Sequence, residues 1–337
     1  MKTIHLMFDK NKEILSHFLQ PLIGFIALNR QNIISLSIDF NADIDIPISC
    51  TFAAKTDDQM FFFDVCDGSD NIVLDKHIDY LQSNKIVLFK RAYDSSLYQK
   101  YNFINPLGLN YFGEYPDPVQ RFYFHYLFKN RKLYEWFKFF CGSSDLDKHW
   151  SMRHRVKAFH HKETILLSTR LWDSSGVSCR VEEINETRIE AVKAIRKNFN
   201  QYAIAGFCDS PLARKRCPEL ILPDTMTKRR HFIELMNHAS ICIATTGLHR
   251  STGWRFAEFI AAGKAIISEP LLFATPGNLK EGKNYLSFDS IDQLISSADY
   301  LLSHPQSIRN MEKENLDYYY HFLRPDVMIF NAIKPFI

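Results

Sequence analysis

Short apolar runs alternate with amphipathic stretches in both halves of the chain, a pattern that is typical of buried strands connected by helices. In the first half it predicts strands over residues 3–8, 33–39, 60–66, 86–90 and 104–109, and a helix over residues 13–28. In the second half it predicts strands over residues 164–169, 202–207, 240–245 and 265–268, and helices over residues 185–199, 228–238, 253–262 and 309–322. The alternation therefore predicts an α/β fold with parallel sheets that helices cover on both faces.

The length of 337 residues favours two domains, because a single core seldom grows to that size. The alternation is interrupted over residues 117–162, which begin beside Pro116 and Pro118. We expect a domain boundary there, with a first domain over residues 1–150 that includes a connecting helix and a second over residues 151–337. The last predicted helix ends at Arg324, because Pro325 cannot continue it.

The composition is that of a folded globular protein, with 46% hydrophobic and 23% charged residues. A net charge of +3 does not by itself argue for nucleic acid and is compatible with anionic substrates. The seven cysteines are scattered and never spaced as C-x-x-C, which indicates neither a disulfide framework nor a zinc ribbon and favours a reducing cytoplasm. The N-terminus lacks the pattern of a signal peptide, and no apolar run approaches the ~20 residues of a membrane-spanning helix.

Residues 240–270 carry the most specific local pattern: a strand, a glycine loop, a helix, a glycine stop and another strand. A loop with Gly247 and Gly253 that leads into a helix can direct backbone N–H groups at a phosphate, and the helix dipole adds partial positive charge there. His249, Arg250 and Arg255 surround this predicted anion site.

This segment resembles the donor half of GT-B glycosyltransferases, and more narrowly the exostosin-like and related bacterial surface-polysaccharide glycosyltransferases. The matching residues are Ser251, Trp254, Arg255, Phe256, Glu258, Ala262 and Gly263. The resemblance implies two Rossmann-like domains facing across a cleft, with C-terminal helices packing back on the first domain. The first domain would bind an acceptor and the second a nucleotide sugar.

The resemblance also implies a hexosyl or deoxyhexosyl transfer, from a UDP-, GDP-, CDP- or dTDP-linked sugar to a hydroxyl of a glycan acceptor. Surface polysaccharide or lipopolysaccharide synthesis is the implied role, without a cofactor or metal. Group-one transferases that retain configuration carry a glutamate eight positions before the ribose glutamate, where this chain has Arg250. The stereochemistry therefore stays open.

By the same resemblance, Glu258 would accept hydrogen bonds from ribose hydroxyls and Arg255 would neutralise the diphosphate. Arg170, directly after a predicted strand, would point into the nucleotide crevice. The predicted donor-binding set is Arg170, Gly247, His249, Arg250, Ser251, Thr252, Gly253, Arg255 and Glu258. An exposed ion pair between Arg255 and Glu258 is the structural alternative, and the basic residues 228–230 are interpreted as a solvated face.

The first half supplies candidates for acid–base chemistry. Asp67 and Asp70 follow a predicted strand, and either carboxylate could deprotonate an acceptor hydroxyl; an ordinary turn is the alternative. Lys90 and Arg91 end another strand and could contact an anionic acceptor or a donor phosphate, or simply be strand-end charges. The aspartates lack the spacing of a calcium loop, so no metal site is predicted.

Residues 121–140 combine aromatic and basic side chains in one predicted helix. Such a helix could lie at the inner face of the membrane beside a lipid-linked acceptor, or it could join the two domains. Base stacking on RNA has little support, and no nucleic-acid partner is predicted. Two rivals to a glycosyltransferase remain: a non-catalytic nucleotide- or glycan-binding module, and a polyol-phosphate transferase.

Overall fold

The computed structural model describes residues 1–12, 16–69, 72, 74–111, 164–173, 180–277 and 279–337. The described residues form two compact units. The first comprises residues 1–111, 273–277 and 320–337, and the second comprises residues 164–272 and 279–319, apart from the gaps just given. The predicted boundary near residue 150 lies outside the described residues.

The first unit is built on one mixed sheet. Its strands are β1 (Thr3–Asp9), β2 (Ser35–Ala42), β3 (Thr51–Lys55), β4 (Met60–Asp64), β5 (Ile86–Lys90) and β6 (Ile104–Pro106). Its first helices are α1 (Leu19–Arg30), α2 (Leu74–Ser83) and α3 (Ser95–Tyr98). The strand order is β2-β1-β3-β4-β5-β6.

Strand β3 was not predicted from the sequence, and it runs antiparallel to both of its neighbours, β1 and β4. The other pairs in this sheet are parallel. A tight turn joins β3 to β4, in which the Thr56 N–H donates to the Gln59 carbonyl over 2.9 Å. A connection this short can link only antiparallel strands, because parallel neighbours need a crossover.

The core of this unit is rich in aromatic side chains. Phe61 and Phe63 of β4 face one side of the sheet, and Phe62 between them faces the other, as the period of a strand requires. The rings of Phe52 and Phe63 stack 5.2 Å apart, and Phe25 of α1 meets Phe63 edge-on at 5.3 Å. Both faces of β4 are therefore covered, which is why its sequence is continuously apolar instead of alternating.

The second unit is a parallel α/β layer structure, as predicted. Its strands are β7 (Ile165–Thr169), β8 (Ala203–Phe207), β9 (Ile241–Ala244), β10 (Ala265–Ser268) and β11 (Leu286–Ser287). Its helices are α4 (Val181–Phe199), α5 (Pro211–Arg216), α6 (Asp224–Thr227), α7 (Arg229–His238), α8 (Trp254–Ala261), α9 (Ile291–Ser303) and α10 (Pro305–Tyr318). The strands are all parallel, in the order β11-β10-β9-β7-β8.

A further helix, α11 (Pro325–Ile333), begins where the sequence predicted the last helix to end. Proline does end the preceding helical segment, but it also begins α11, because the first turn of a helix needs no proline N–H. Helix α11 packs on α1 so closely that a Cβ added at Gly24 would lie 2.3 Å from the Pro325 carbonyl oxygen. The prediction that C-terminal helices pack on the first unit is therefore confirmed, as is the α/β class.

Candidate functional site

The strand order of the second sheet creates a switch point between β7 and β9. The chain leaves β7 toward β8 on one side, and it later returns to form β9 on the other side of β7. Loops that leave two such strands diverge at their carboxyl ends and open a crevice, and ligands of doubly wound sheets bind in crevices of this kind. Arg170 directly follows β7, and Thr245 directly follows β9, so the predicted donor residues lie at this point.

Arg188 of α4 ties the two strand ends together. Its guanidinium donates to the Arg170 carbonyl over 2.6 Å, to the Thr246 carbonyl over 2.8 Å and to Thr245 Oγ1 over 3.0 Å. Only 5% of the residue is exposed, and this burial lowers its pKa to about 10, although Glu269 opposes the shift. Sequence analysis missed Arg188, because nothing local separates it from the exposed basic residues of the same helix.

Trp172 is held beside the end of β7 by Asn185. The backbone N–H of Trp172 donates to Asn185 Oδ1 over 2.9 Å, and Asn185 Nδ2 donates to the backbone carbonyl of Trp172 over 2.8 Å. The guanidinium of Arg170 lies 3.8 Å from the Trp172 ring centroid, a cation–π contact. The Arg170 side chain is exposed, so its donors remain within reach of an anionic ligand.

The loop after β9 has an unusual backbone. His249 and Arg250 both have left-handed backbones, with φ of 56° and 57°, a conformation that costs non-glycine residues energy and occurs often at ligand-binding sites. The Gly247 N–H donates to the Ser251 carbonyl over 2.8 Å, and a Cβ on Gly247 would lie 2.6 Å from Ser251 Oγ. A side chain at 247 would therefore displace the Ser251 hydroxyl from its place in this tight loop.

Helix α8 begins directly after this loop. Gly253 precedes it in an extended conformation and provides no side-chain cap, so the first N–H groups carry their partial positive charge toward the loop. The helix ends where the sequence predicts, because Gly263 adopts the left-handed conformation with φ of 60° and stops it. The predicted strand, glycine loop, helix and glycine stop are therefore confirmed as structural elements.

Glu258 of α8 lies between two arginines. Its Oε1 is 2.8 Å from Nη1 of Arg229, and its Oε2 is 3.7 Å from Nη1 of Arg255. Glu258 is 2% exposed, so the pair with Arg255 is not the exposed ion pair considered as the alternative. Arg229 pairs with this buried carboxylate, so the interpretation of residues 228–230 as a solvated face was wrong for that residue.

Two atoms of this cluster lack hydrogen bonds. Glu258 Oε2 and Arg255 Nη1 are buried, and neither has a hydrogen-bond partner among the residues that the structure describes. Arg255 also stacks over Phe232, with its guanidinium carbon 3.3 Å from the ring centroid. Buried polar atoms are nearly always bonded, and an exception often marks the place of a ligand or a water molecule.

The first unit has its own charged cluster at the carboxyl ends of β4 and β5. Lys90 is fully buried and donates to Asp64 Oδ2 over 2.7 Å and to the Gly68 carbonyl over 3.2 Å. Arg91, also buried, pairs with Asp67. Through these ion pairs Lys90 and Arg91 stabilise the strand ends of this unit. Their contact with an acceptor or phosphate stays a prediction. Asp70 lies outside the described residues.

Asp67 is about one third exposed, and His17 Nε2 lies 3.8 Å from its Oδ2. The contact with Arg91 occupies its Oδ1, the oxygen that faces inward. The role of Asp67 and Asp70 as a general base stays a prediction. Residues 121–140, which the sequence analysis linked to a membrane surface or a domain connection, lie outside the described residues.

Among the helices that the structure describes, none has both the length and the apolar character needed to cross a membrane.

Neither protein-family models nor curated proteins match this sequence. Solved structures do resemble it. HepE from Anabaena in complex with UDP has a TM-score of 0.45 at 10% identity and covers 99% of both chains. The C-terminal domain of a group 1 family glycosyl transferase (LpcC) from Francisella tularensis has a TM-score of 0.36 at 13% identity, over 48% of this chain and 85% of that one.

A sucrose-phosphate synthase from Thermosynechococcus elongatus has a TM-score of 0.36 at 11% identity, over 52% of this chain. This chain spans 45% of the length of that synthase. All three TM-scores are below 0.5.

Proposed function

We propose that the chain is a glycosyltransferase whose second unit binds the nucleoside diphosphate part of a sugar nucleotide. One observation carries the proposal: a strained glycine loop, an uncapped helix N-terminus and the exposed cation Arg170 converge at the switch point of a parallel sheet. Each element favours an anion, and a crevice between diverging loops is where doubly wound sheets place nucleotides.

A diphosphate fits this place because its charge can be neutralised without a metal ion. The N–H groups at the start of α8 and the Arg170 guanidinium supply positive charge from two directions. In sugar transfer the diphosphate leaves as an anion, so groups already oriented toward it stabilise the transition state more than the ground state. We infer that Arg170 and the loop residues 246–253 bind the phosphates.

Glu258 is proposed to accept hydrogen bonds from the ribose hydroxyls. Arg229 holds its Oε1, which leaves Oε2 as the acceptor that lacks a donor within the described chain. Arg255 Nη1 lies 3.7 Å from this oxygen and would pair with the nearer phosphate. The stacking of Arg255 on Phe232 fixes the plane of its guanidinium. A ribose and a phosphate together would satisfy both of the atoms that lack partners.

The finer parts of the proposal follow from the sequence resemblance alone. The donor is a UDP-, GDP-, CDP- or dTDP-linked sugar, the acceptor is a hydroxyl of a glycan that could be lipid-linked, and the product belongs to a surface polysaccharide or lipopolysaccharide. Asp67 or Asp70 would act as the base, and Lys90 or Arg91 would contact the acceptor.

Thermal unfolding with added nucleotides tests donor binding. We expect at least one of UDP, GDP, CDP and dTDP to raise the melting temperature in the presence of EDTA, and the matching monophosphate to do so less. A ligand at 100 times its Kd adds about 2.7 kcal/mol to the free energy of unfolding. The absence of a shift with all four diphosphates would refute the donor site.

Two variants and one control locate the site. Arg170→Ala removes an exposed side chain, so it should weaken diphosphate binding while costing the free protein no more than the ~0.5–1 kcal/mol of the contact with Trp172. Glu258→Gln should raise the Kd about 10- to 100-fold, because charge-assisted hydrogen bonds contribute about 1.5–3 kcal/mol each. Glu234→Gln on neighbouring α7 is the control, since the Glu234 side chain is 55% exposed and pairs only loosely with Arg230 at 3.4 Å.

Turnover separates an enzyme from its rivals. A chain that binds a diphosphate but neither hydrolyses nor transfers any sugar nucleotide over a broad panel would be a binding module. A mass increase of the acceptor by a polyol phosphate would identify the other rival. Transfer of a sugar, with a mass increase of one glycosyl residue, is the result that the proposal expects.

A further inference from the structure

Two cysteines meet at the open end of the β3–β4 hairpin. Cys50 directly precedes β3 and Cys66 lies two residues after β4, and the Val65 N–H donates to the Cys50 carbonyl over 3.1 Å. Cys50 has a left-handed backbone with φ of 53°. Both residues are half-buried, and their side chains are neighbours at this end of the hairpin.

The surroundings of Cys66 favour a thiolate. The hydrogen bond from Cys50 is the largest cause that lowers the pKa of Cys66, to about 6, and the Gly68 N–H and Lys90 act in the same direction. Burial and the carboxylate of Asp64 oppose them. Arg91 also lies near this sulfur: burial lowers the pKa of Arg91 to about 10, and the attraction to the Cys66 sulfur opposes that shift.

Cys50 has the opposite character. Its hydrogen bond to Cys66, its burial and the nearby negative charge all raise the pKa of its thiol. The surroundings therefore favour the thiolate form at Cys66 and the thiol form at Cys50. A reactive thiolate beside a second thiol is the arrangement of redox-active cysteine pairs.

We propose that Cys50 and Cys66, which are neighbours across the open end of the β3–β4 hairpin, form a reversible disulfide in which Cys66 reacts first and Cys50 resolves. The oxidant is a low-molecular-weight disulfide such as oxidised glutathione. The Cys66 thiolate attacks one sulfur, forms a mixed disulfide and releases one glutathione thiolate. Cys50 then loses its proton to solvent and attacks the Cys66 sulfur, which forms the protein disulfide and releases the second glutathione, so two electrons pass to the oxidant.

The other described cysteines do not share this environment. Cys217 and Cys242 are buried, and burial raises the pKa of each thiol. Cys208 is half-buried like the pair but has no described cysteine beside it, so it serves as the control inside the same protein. Cys141 and Cys179 lie outside the described residues, and peptide mapping separates their products from those of the pair.

The pH dependence of alkylation tests the first half of the proposal. Iodoacetamide labelling of the full chain is followed by peptide mass spectrometry, with an unstructured single-cysteine peptide in the same tube. With a pKa of about 6, half of Cys66 is ionised at pH 6, so its alkylation rate should fall only about twofold from pH 9 to pH 6. The alkylation rate of a thiol with pKa ~8.5 should fall about 200-fold over the same range. Because each site is compared with itself, differences in access cancel.

Oxidation with oxidised glutathione tests the second half. We expect a disulfide that links the Cys50 and Cys66 peptides and that dithiothreitol reverses. In the Cys50→Ala variant, glutathione should stay attached to Cys66. The alkylation rate of Cys66 should also fall more between pH 9 and pH 6 than in wild type, because the neighbouring thiol that lowers its pKa is gone. Cys208→Ala should change neither result. A 200-fold loss at Cys66 in the wild-type chain, or oxidation that joins either cysteine to a different partner, would overturn the proposal without bearing on the donor site.

Discussion

Replacing Arg188 with methionine should destabilise the second unit by about 3 kcal/mol. Burial of the guanidinium lowers its pKa from 12.5 to about 10, which corresponds to a cost of about 3 kcal/mol for keeping the charge there. Three hydrogen bonds from a charged donor, each contributing about 1.5–3 kcal/mol, outweigh that cost. Methionine keeps the packing of the aliphatic part of the side chain but removes the donor to two carbonyls and a hydroxyl. Each buried acceptor that loses its hydrogen bond costs about 1–3 kcal/mol.

Arg196 provides a matched control on the same helix. It also donates three hydrogen bonds to carbonyls, those of Ala205, Glu219 and Leu220, but it is only half-buried, so water can replace it. Urea unfolding at pH 7 should show a midpoint for Arg188→Met lower by about 1–1.5 M, assuming an m-value of ~2–3 kcal/mol/M. Arg196→Met should lose about 1 kcal/mol. Equal stabilities of the two variants would refute the argument that Arg188 is the tie between β7 and β9.

Three further predictions concern stability. In the folded protein, burial raises the pKa of Glu312 from 4.5 to about 7, so stability should fall as pH rises from about 4.5 to about 7 and then level off; Glu312→Gln should remove this fall and gain about 1–3 kcal/mol over wild type at pH 8, measured by urea unfolding at pH 5 and 8. Gly24→Ala should destabilise by about 1–3 kcal/mol, although alanine normally favours a helix, because its Cβ would clash with α11; a higher melting temperature would contradict this. Lys90→Met should cost about 3–5 kcal/mol by removing the ammonium group that pairs with the buried carboxylate of Asp64, and adding Asp64→Leu should recover much of the loss; no recovery in the double variant would count against it.

The sequence predicted the second unit better than the first, for a physical reason. Strands β7 to β10 are buried on both faces and separated by helices, so each appears as a short apolar run between amphipathic stretches. Strand β3 has the sequence Thr-Phe-Ala-Ala-Lys, with small residues and a terminal charge, and no periodicity marks it as a strand. Its central place in the sheet comes from pairing with β1 and β4, which local sequence does not encode.

The positions of polar residues could be predicted where the residues lie in one segment of the chain. They could not be predicted where the fold brings distant segments together. The glycines and the charges of residues 246–258 lie in one stretch, so their positions on a loop and a helix could be predicted. The bond between Arg229 and Glu258 joins two helices, and the bond between Asp64 and Lys90 joins two strands. Such pairs become visible only when strand order and helix packing are known.

The same distinction separates residues that touch a ligand from residues that hold the site in place. Arg170 is exposed and should act mainly on a bound anion, so its loss should change affinity and cost the free protein at most ~0.5–1 kcal/mol. Arg188 is buried and bonded to the Arg170 carbonyl, so the backbone that presents Arg170 depends on it. Its loss should therefore lower stability and affinity together, by about tenfold in Kd for each 1.4 kcal/mol of lost alignment. If Arg188→Met weakened binding while stability stayed at the wild-type value, Arg188 would be a ligand contact and the switch point would need a different description.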